Sequence, residues 1–449
     1  MDERILYPGS LHNHLDWSNE RLRDCIIKTE DLIDYAIELG HEVVAITDHE
    51  TVSGAVKAEK YYKKIKEKHP NFKLIQGNEI YLCRNGLNAD NFNKDFDKYY
   101  HFILLARNAE GHKQIRELST RAWKRSYMAR GMRRVPTYYQ DLFDIIGKNK
   151  GNVIGSTACL GGSLPTQLLR WRESQDTAFY EKICLWIKQM DELFGHGNFF
   201  FELQPSHNKD QIFINKKLIE LSKEFDIPYI ITTDSHYLKK EDRKIHKAYL
   251  NAQNGDREVD DFYASTYMMN TEEIESYFDY FSENELQVAY QNILKIKNMC
   301  EDFSLLKPLK IPELYWKDYE EDFHSYNFYK EKIPYLEIFY NSEYYGDKKL
   351  VWAIIDGIKR KKDLQCEEAY KEIELCLDDT WRSSITNKTH WSAYFLNLQK
   401  NIDLCWEAGS LVGPGRGSGA GFILLYVLDI TQINPILEDT KCYHWRFLN

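Results

Sequence analysis

The stretch Leu11-His12-Asn13-His14-Leu15 sets two imidazoles two residues apart. In an extended segment residues i and i+2 share a face, so His12 and His14 can grip one ion. Histidines at this spacing also occur in ordinary cores and surfaces, so further ligands are needed. The chain supplies them: Asp48-His49, Glu79, Cys159 and Asp234-Ser235-His236 each stand at or just past the end of a short apolar run. Asp234 and His236 repeat the i, i+2 spacing, and His101 lies near the start of its own run. Mixed imidazole and carboxylate ligands suit zinc, manganese or iron; a thiolate from Cys159 pulls toward zinc or iron, the carboxylates toward manganese. Clustered divalent ions activate water, orient a phosphodiester and stabilise attacking and leaving oxygens, so phosphoester hydrolysis is the chemistry to expect. Asp48 reads equally as a helix cap or as the carboxylate that orients a ligating imidazole.

Alternating strands and helices must position these groups. Thr29 is placed to cap a helix with Glu30 and Asp31 in its first turn, Leu32, Ile33, Ala36 and Ile37 on its apolar face and Gly40 as its stop. Residues 41–47 then read as a strand ending at Asp48-His49, residues 53–68 as a helix before Pro70, and Lys73 to Gln76 as a strand ending in Gly77-Asn78-Glu79. Further runs at 99–106, 152–157, 198–203 and 228–233 complete a β/α alternation, hence a parallel sheet or barrel with its site at the C-terminal ends of the strands. The pattern ends near Val259; residues 283–300 read as an amphipathic helix, and residues 315–345 are rich in aromatics and acids without a period.

A chain of 449 residues, 43% hydrophobic, is long enough for two cores. Nine scattered cysteines do not make a disulfide framework, and without a secretory signal before residue 20 the expected setting is a reducing cytoplasm. The most apolar run, Phe422 to Leu428, is too short to span a bilayer, so no membrane partner is expected. A net charge of −10 argues against a histone-like binder but leaves room for local basic patches. One such patch is Arg121 to Arg134, where Lys124, Arg125, Arg130, Arg133 and Arg134 interleave with Trp123 and Tyr127. Basic side chains neutralise backbone phosphates while rings stack on bases, although a solvated helix face carries the same pattern. Residues 413–421, with Arg416, Gly417 and Ser418, form a glycine-rich loop that opens a helix and suits a phosphate, or else a structural turn. It lacks the Gly-Lys-Ser/Thr of a Walker loop.

The order HNH, TDH, GNE, YHF, ACL and TDSH resembles the polymerase-and-histidinol-phosphatase (PHP) domain. That resemblance implies an α/β fold, a PHP-type distorted seven-stranded (β/α) barrel. It also implies up to three Zn, Mn or Fe ions held by His12, His14, Glu79 and Asp234, by Glu79, His101 and Cys159, and by Asp24, His49 and His236. Asp16 and Glu20 lie close enough to compete with Asp24. Asp48, His49, Glu79 and Asp234 would then be the catalytic groups.

The glycine loop, with Trp391 to Leu396 before it and Asp429 to Ile436 and Arg446-Phe447-Leu448-Asn449 after it, resembles the palm of the bacterial replicative DNA polymerase III alpha subunit, the C family. The two resemblances together imply a PHP barrel over 1–262. Residues 263–449 would be the beginning of an α+β palm of the polymerase-beta-like nucleotidyltransferase type, with Arg416, Gly417 and Ser418 at the triphosphate. DNA, as primer-template or single strand, a deoxynucleoside triphosphate, and a sliding clamp with other replisome proteins are the implied partners, in a bacterial cell or phage-infected host. The family's palm aspartates follow the RFLN segment, so polymerisation, with its magnesium, is expected to need a second, C-terminal polypeptide, unless the sequence is a piece of a longer one that carries them. The barrel is expected to be a metal-dependent 3′ to 5′ exonuclease or related phosphoesterase. The alternatives are a metal-stabilised structural module supporting a polymerase and a histidinol-phosphatase-like enzyme, which leaves the glycine loop without purpose.

Overall fold

Four consecutive apolar residues, Val43–Ile46, make the first strand, and both its faces are covered: Val43 and Ala45 pack into one buried cluster, Val44 and Ile46 into another. Strands buried on both sides need no polar alternation. The computed structural model describes residues 4–93, 96–129, 132–252, 262–437, 444 and 447. Its strands are β1 (Val43–Ile46), β2 (Lys73–Cys83), β3 (Tyr100–Ala106), β4 (Tyr127–Ala129), β5 (Met132–Arg134), β6 (Thr137–Tyr138), β7 (Val153–Ser156), β8 (Phe199–Leu203) and β9 (Tyr229–Ile231). One sheet runs β1-β2-β3-β7-β8-β9, with β6 added to β2; β4 and β5 form a separate hairpin.

The pairs β1/β2, β7/β8 and β8/β9 are parallel, with helices Ala55–Lys66, Ser163–Ser174, Thr177–Phe194 and Lys209–Phe225 in the crossovers. The all-parallel expectation fails at β3, which is antiparallel to both β2 and β7. Its connection from β2 carries no helix among the described residues, so the chain folds back instead of crossing over. A second difference lies in β2, which does not stop at Gln76 but continues through Glu79 to Cys83. The segment from Pro8 to His14 closes the curl. It pairs with β1 through Val43 N–H to Pro8 O, Ala45 N–H to Ser10 O and Thr47 N–H to Asn13 O, and with the chain past β9 through His14 N–H to Ser235 O. The first helix begins at Thr29 with Lys28 as its cap, and the Thr29 hydroxyl caps nothing.

Packing divides the chain into Met1–Leu306 and Lys307–Asn449, later than the break at 262 that the fading β/α pattern suggested. The helix Glu283–Met299, started by a Ser282/Glu285 capping box, is part of the first unit. Leu286, Ala289, Tyr290, Ile293 and Ile296 join the barrel's core, and Asn292 donates to Tyr229 O on β9. In the second unit the described residues form helices and no strand, against the α+β mixture expected there. Helices Tyr345–Arg360, Glu367–Asn387 and Trp391–Glu407 enclose Ile354, Ile373, Leu377 and Phe395. The aromatic stretch without a period becomes two short helices whose Phe323, Tyr326 and Tyr340 cluster around Trp352. No helix among the described residues is long and apolar enough to cross a membrane.

Candidate metal centre

Seven segments deliver the ligands to one end of the barrel. His12 and His14 project from the closing segment, and their Nε2 atoms stand 3.1 Å apart. After β1 the chain carries His49, whose Nδ1 lies 2.5 Å from Glu79 Oε2 on β2. Because β3 runs antiparallel to β2, its first residues lie beside the far half of β2, and His101 Nδ1 comes within 2.9 Å of Glu79 Oε1. Cys159 follows β7, its Sγ 3.4 Å from His101 Nδ1. A Cβ on Gly161 would meet the His101 ring at 3.2 Å, so the glycine leaves the imidazole its room. Past β9, Asp234 Oδ1 lies 3.2 Å from His12 Nε2 and 3.1 Å from His14 Nε2. Asp24 arrives because Ile26 N–H binds His236 O, and its Oδ2 sits 3.3 Å from His49 Nε2 and 3.6 Å from His236 Nε2. Glu50, Ala158 and Asp234 adopt φ of 54°, 56° and 48°, uncommon for residues other than glycine. Each marks a turn just past a strand that aims a side chain into the site, that of His49, of Cys159 and of Asp234 itself.

All the expected ligands therefore meet. Ligand atoms fall within 4.8 Å of one another in the groups His12/His14/Asp234, Glu79/His101/Cys159 and His14/His49/His236. The competitors of Asp24 are engaged elsewhere: Asp16 pairs with Lys28, and Glu20 accepts from the Thr51 and Ser53 hydroxyls. Every ligand is buried except His101, whose side chain is 22% exposed.

This donor set fits divalent cations. Asp24 Oδ1, Glu79 Oε1 and Asp234 Oδ1 are buried and accept no hydrogen bond, a costly state unless something positive meets them. Burial works against charge on His12 and His49, but carboxylates outweigh it. Asp234 and Glu202 hold His12 well above its ordinary pKa, and Asp24 with Glu79 lifts His49 to about 10. His14 is pushed down to about 3 by burial and by His49 and His236. Protons on some imidazoles thus balance the carboxylates, and cations binding there release those protons.

Behind the ligands stands a layer of orienting groups, of which the sequence pointed only to Asp48. Glu202 on β8 accepts from His12 Nδ1 at 2.6 Å and also from Ser156, Thr232 and Gln204. Its signal was available: a lone carboxylate inside the apolar run Phe199-Phe200-Phe201-Glu202-Leu203. Asp48 accepts from Leu15 N–H and from the Ser18 hydroxyl, which lies 3.1 Å from His14 Nδ1. It caps no helix, and burial raises its pKa to about 7. Tyr263 donates to Asp24 Oδ2 at 2.9 Å. Glu202→Gln is expected to weaken metal binding by about 10- to 100-fold, because the carboxylate charge facing His12 is lost and an amide turns a donor either toward Ser156 or toward His12, Thr232 and Gln204. Competition titration with a chromogenic chelator reads this, and an unchanged affinity would show that Glu202 does not orient the imidazole.

The basic patch separates into different environments. Arg125 forks onto Asp141 at 2.6 and 3.1 Å and stacks on Tyr138, a structural role. Arg133 reaches Ser126, Lys124 is exposed at the end of its helix, Arg134 stacks on Tyr99 and Phe92, and Arg130 lies outside the described residues. In the second unit the glycine loop does not run straight into a helix. Gly417–Gly421 form a 3-10 turn, Phe422 is extended and stacks on Phe395, and only Ile423–Val427 is α-helical. Arg416 and Ser418 are exposed, and Gly417 has φ 67°. Of the RFLN segment only Phe447 is described.

Residues 10–206 match the PHP domain family, and residues 360–449 match the bacterial DNA polymerase III alpha NTPase domain. The chain joins a PHP domain to a DNA polymerase III alpha segment. Across 98% of its length it is 35% identical to the DNA-directed DNA polymerase of Bacillus phage SPbeta, covering 35% of that protein. It is 28% identical to the DNA polymerase III subunit alpha of Borreliella burgdorferi, over 98% of this chain and 34% of that one. The chain thus spans about a third of the length of these relatives. A solved amidohydrolase from Chromobacterium violaceum overlaps 51% of this chain and 87% of its own at a TM-score of 0.31 and 12% identity, too loose a likeness to argue from.

Proposed function

We propose that this chain is part of a C-family replicative DNA polymerase and that its PHP barrel is a metal-dependent phosphodiesterase removing nucleotides from a DNA strand in the 3′ to 5′ direction. The observation that carries the reading is the meeting of His12, His14, Asp24, His49, Glu79, His101, Cys159, Asp234 and His236 at one barrel end. Zinc, manganese or iron held there supplies Lewis-acid polarisation of a phosphoryl group.

The chain's own residues do the rest. Glu79 faces His12 and His101 with one oxygen and His49 with the other, so it ties the ligand groups together. Glu202 and the Ser18/Asp48 pair fix the ring orientations of His12 and His14 before any substrate arrives. Asp48 is accordingly a positioning residue, while His49, Glu79 and Asp234 stand among the groups that meet the reacting phosphate. The buried setting strengthens each charge interaction. Arg416, Gly417 and Ser418, exposed on their loop, are the proposed contacts of an incoming deoxynucleoside triphosphate.

The burial of every ligand but His101 favours a second reading, in which the ions only brace the barrel. A 3′-labelled primer incubated with the full chain and manganese or zinc separates the two. Release of labelled nucleotide that disappears in His12→Ala supports the nuclease, and no release above that variant leaves the bracing role. p-Nitrophenyl phosphate in the same assay tests the small-molecule phosphatase.

A further inference from the structure

Arg21 carries a charge in a place where charges are rarely left alone. It follows the short 3-10 helix Asp16–Glu20, is 5% exposed, and its Nε and Nη1 are buried without a hydrogen bond. Among the described residues no carboxylate pairs with it. Its guanidinium lies 4.5 Å from the centre of the Tyr81 ring, and the Tyr81 hydroxyl is 3.2 Å from His49 Nδ1 in the metal centre. Stacking on a ring recovers only part of what a buried cation loses on leaving water.

A second guanidinium faces the same region. Arg134, at the end of the β4/β5 hairpin, stacks on Tyr99 at 5.3 Å and Phe92 at 5.9 Å; its Nε is buried without a hydrogen bond and no acid pairs with it among the described residues. Tyr99 precedes by two residues His101, the one partly open ligand. Burial and the charge of Arg21 hold the Arg134 guanidinium below its ordinary pKa. Two guanidiniums near enough to repel each other beside a cation-binding centre, each with buried N–H groups that meet no acceptor, are best explained by an anion that joins them, since Glu50, the buried acid whose charge Arg21 favours, gives its oxygens to Tyr81 N–H and the Thr137 hydroxyl.

We infer that Arg21 and Arg134 form a clamp for phosphoryl oxygens at the mouth of the metal centre, receiving the phosphate of the group that the centre hydrolyses. The inference rests on the phosphoesterase reading of that centre and adds the substrate-binding groups. Guanidinium forks match phosphate oxygens in pairs, which a lysine at the same place cannot do. The planes of Tyr81, Tyr99 and Phe92 hold both forks in fixed orientations, so little freedom is lost on binding.

The test is binding, with calcium in place of manganese so that cleavage does not interfere. The full chain is titrated against a fluorescein-labelled, 5′-unphosphorylated hexathymidylate and followed by anisotropy. Arg21→Gln and Arg134→Gln are each expected to weaken binding by about tenfold and to flatten the salt dependence by about 0.7 per lost phosphate contact, with metal content and urea midpoint as in the wild type. Inorganic phosphate as competitor distinguishes the source: displacement of the hexamer marks a phosphomonoester site, and no displacement marks a strand backbone. Hexamer affinity unchanged in both variants, or no binding of either probe by the wild type, overturns the clamp even where strand hydrolysis is seen. Weakened binding together with a wild type that hydrolyses nothing retains the clamp and retires the nuclease. Should Arg21→Gln fail to fold, Arg134→Gln, on a surface hairpin, decides alone.

Discussion

Glu79→Gln is expected to lower strand hydrolysis by roughly 10³-fold, the scale of the several kcal/mol that metal ions contribute to a phosphoryl transition state. Glu79 is fully buried in the middle of β2, with Oε1 3.4 Å from His12 and 2.9 Å from His101 and Oε2 2.5 Å from His49. Both oxygens serve, and they serve different ligand groups. An amide keeps the volume but turns one acceptor into an N–H donor that points at imidazoles and cations, so loss on one side is unavoidable. Inductively coupled plasma mass spectrometry after manganese loading and dialysis should find fewer ions per chain than in the wild type, and the labelled-primer assay should find the loss of rate. A full complement of metal in Glu79→Gln would mean that Glu79 does not bridge the groups, and the centre would have to be redrawn around Asp234.

Phe102→Ala is expected to cost about 3–5 kcal/mol, the range for a large aromatic removed from a core that cannot collapse. Phe102 is fully buried and stacks on Phe194 at 5.6 Å and Phe199 at 6.2 Å. Gly155 has no Cβ because one would stand 3.0 Å from the Phe102 ring. Alternation along β3 sends Phe102 into the core while its neighbour His101 turns to the metal centre, so the cavity also loosens a ligand. Urea unfolding followed by circular dichroism should give a lower midpoint for the metal-free variant. Manganese should recover part of it, since a ligand at 100 times its Kd adds about 2.7 kcal/mol to the native state. A variant as stable as the wild type would show that the aromatic stack is not what holds β3.

Local order along the chain was enough to place six of the strands and to single out His12, His14, His49, Glu79, Cys159, Asp234 and His236 as candidates, while Asp24 came only with the family resemblance and the short strands β4, β5 and β6 gave no signal. His12 and His14, or Asp234 and His236, announce themselves because period-two spacing puts both side chains on one face, and Asp48-His49 because it ends an apolar run. The same signals failed where the deciding partner lies far off in sequence. That β2 continues through Glu79 depends on pairing with β3 and β6, and that β3 is antiparallel depends on a connection without a helix. Both are facts of tertiary pairing that apolar runs do not encode. Glu283–Met299 reads as an amphipathic helix in any context, and only the exposed edge at β9 decides which core its apolar stripe fills. Arg125 and Arg134 look alike in a basic run, yet Asp141 neutralises one and nothing among the described residues answers the other. Sequence thus determined which groups are present and on which face each one lies. The fold decided which of them meet, because a contact between residues two hundred positions apart is set by how the sheet closes.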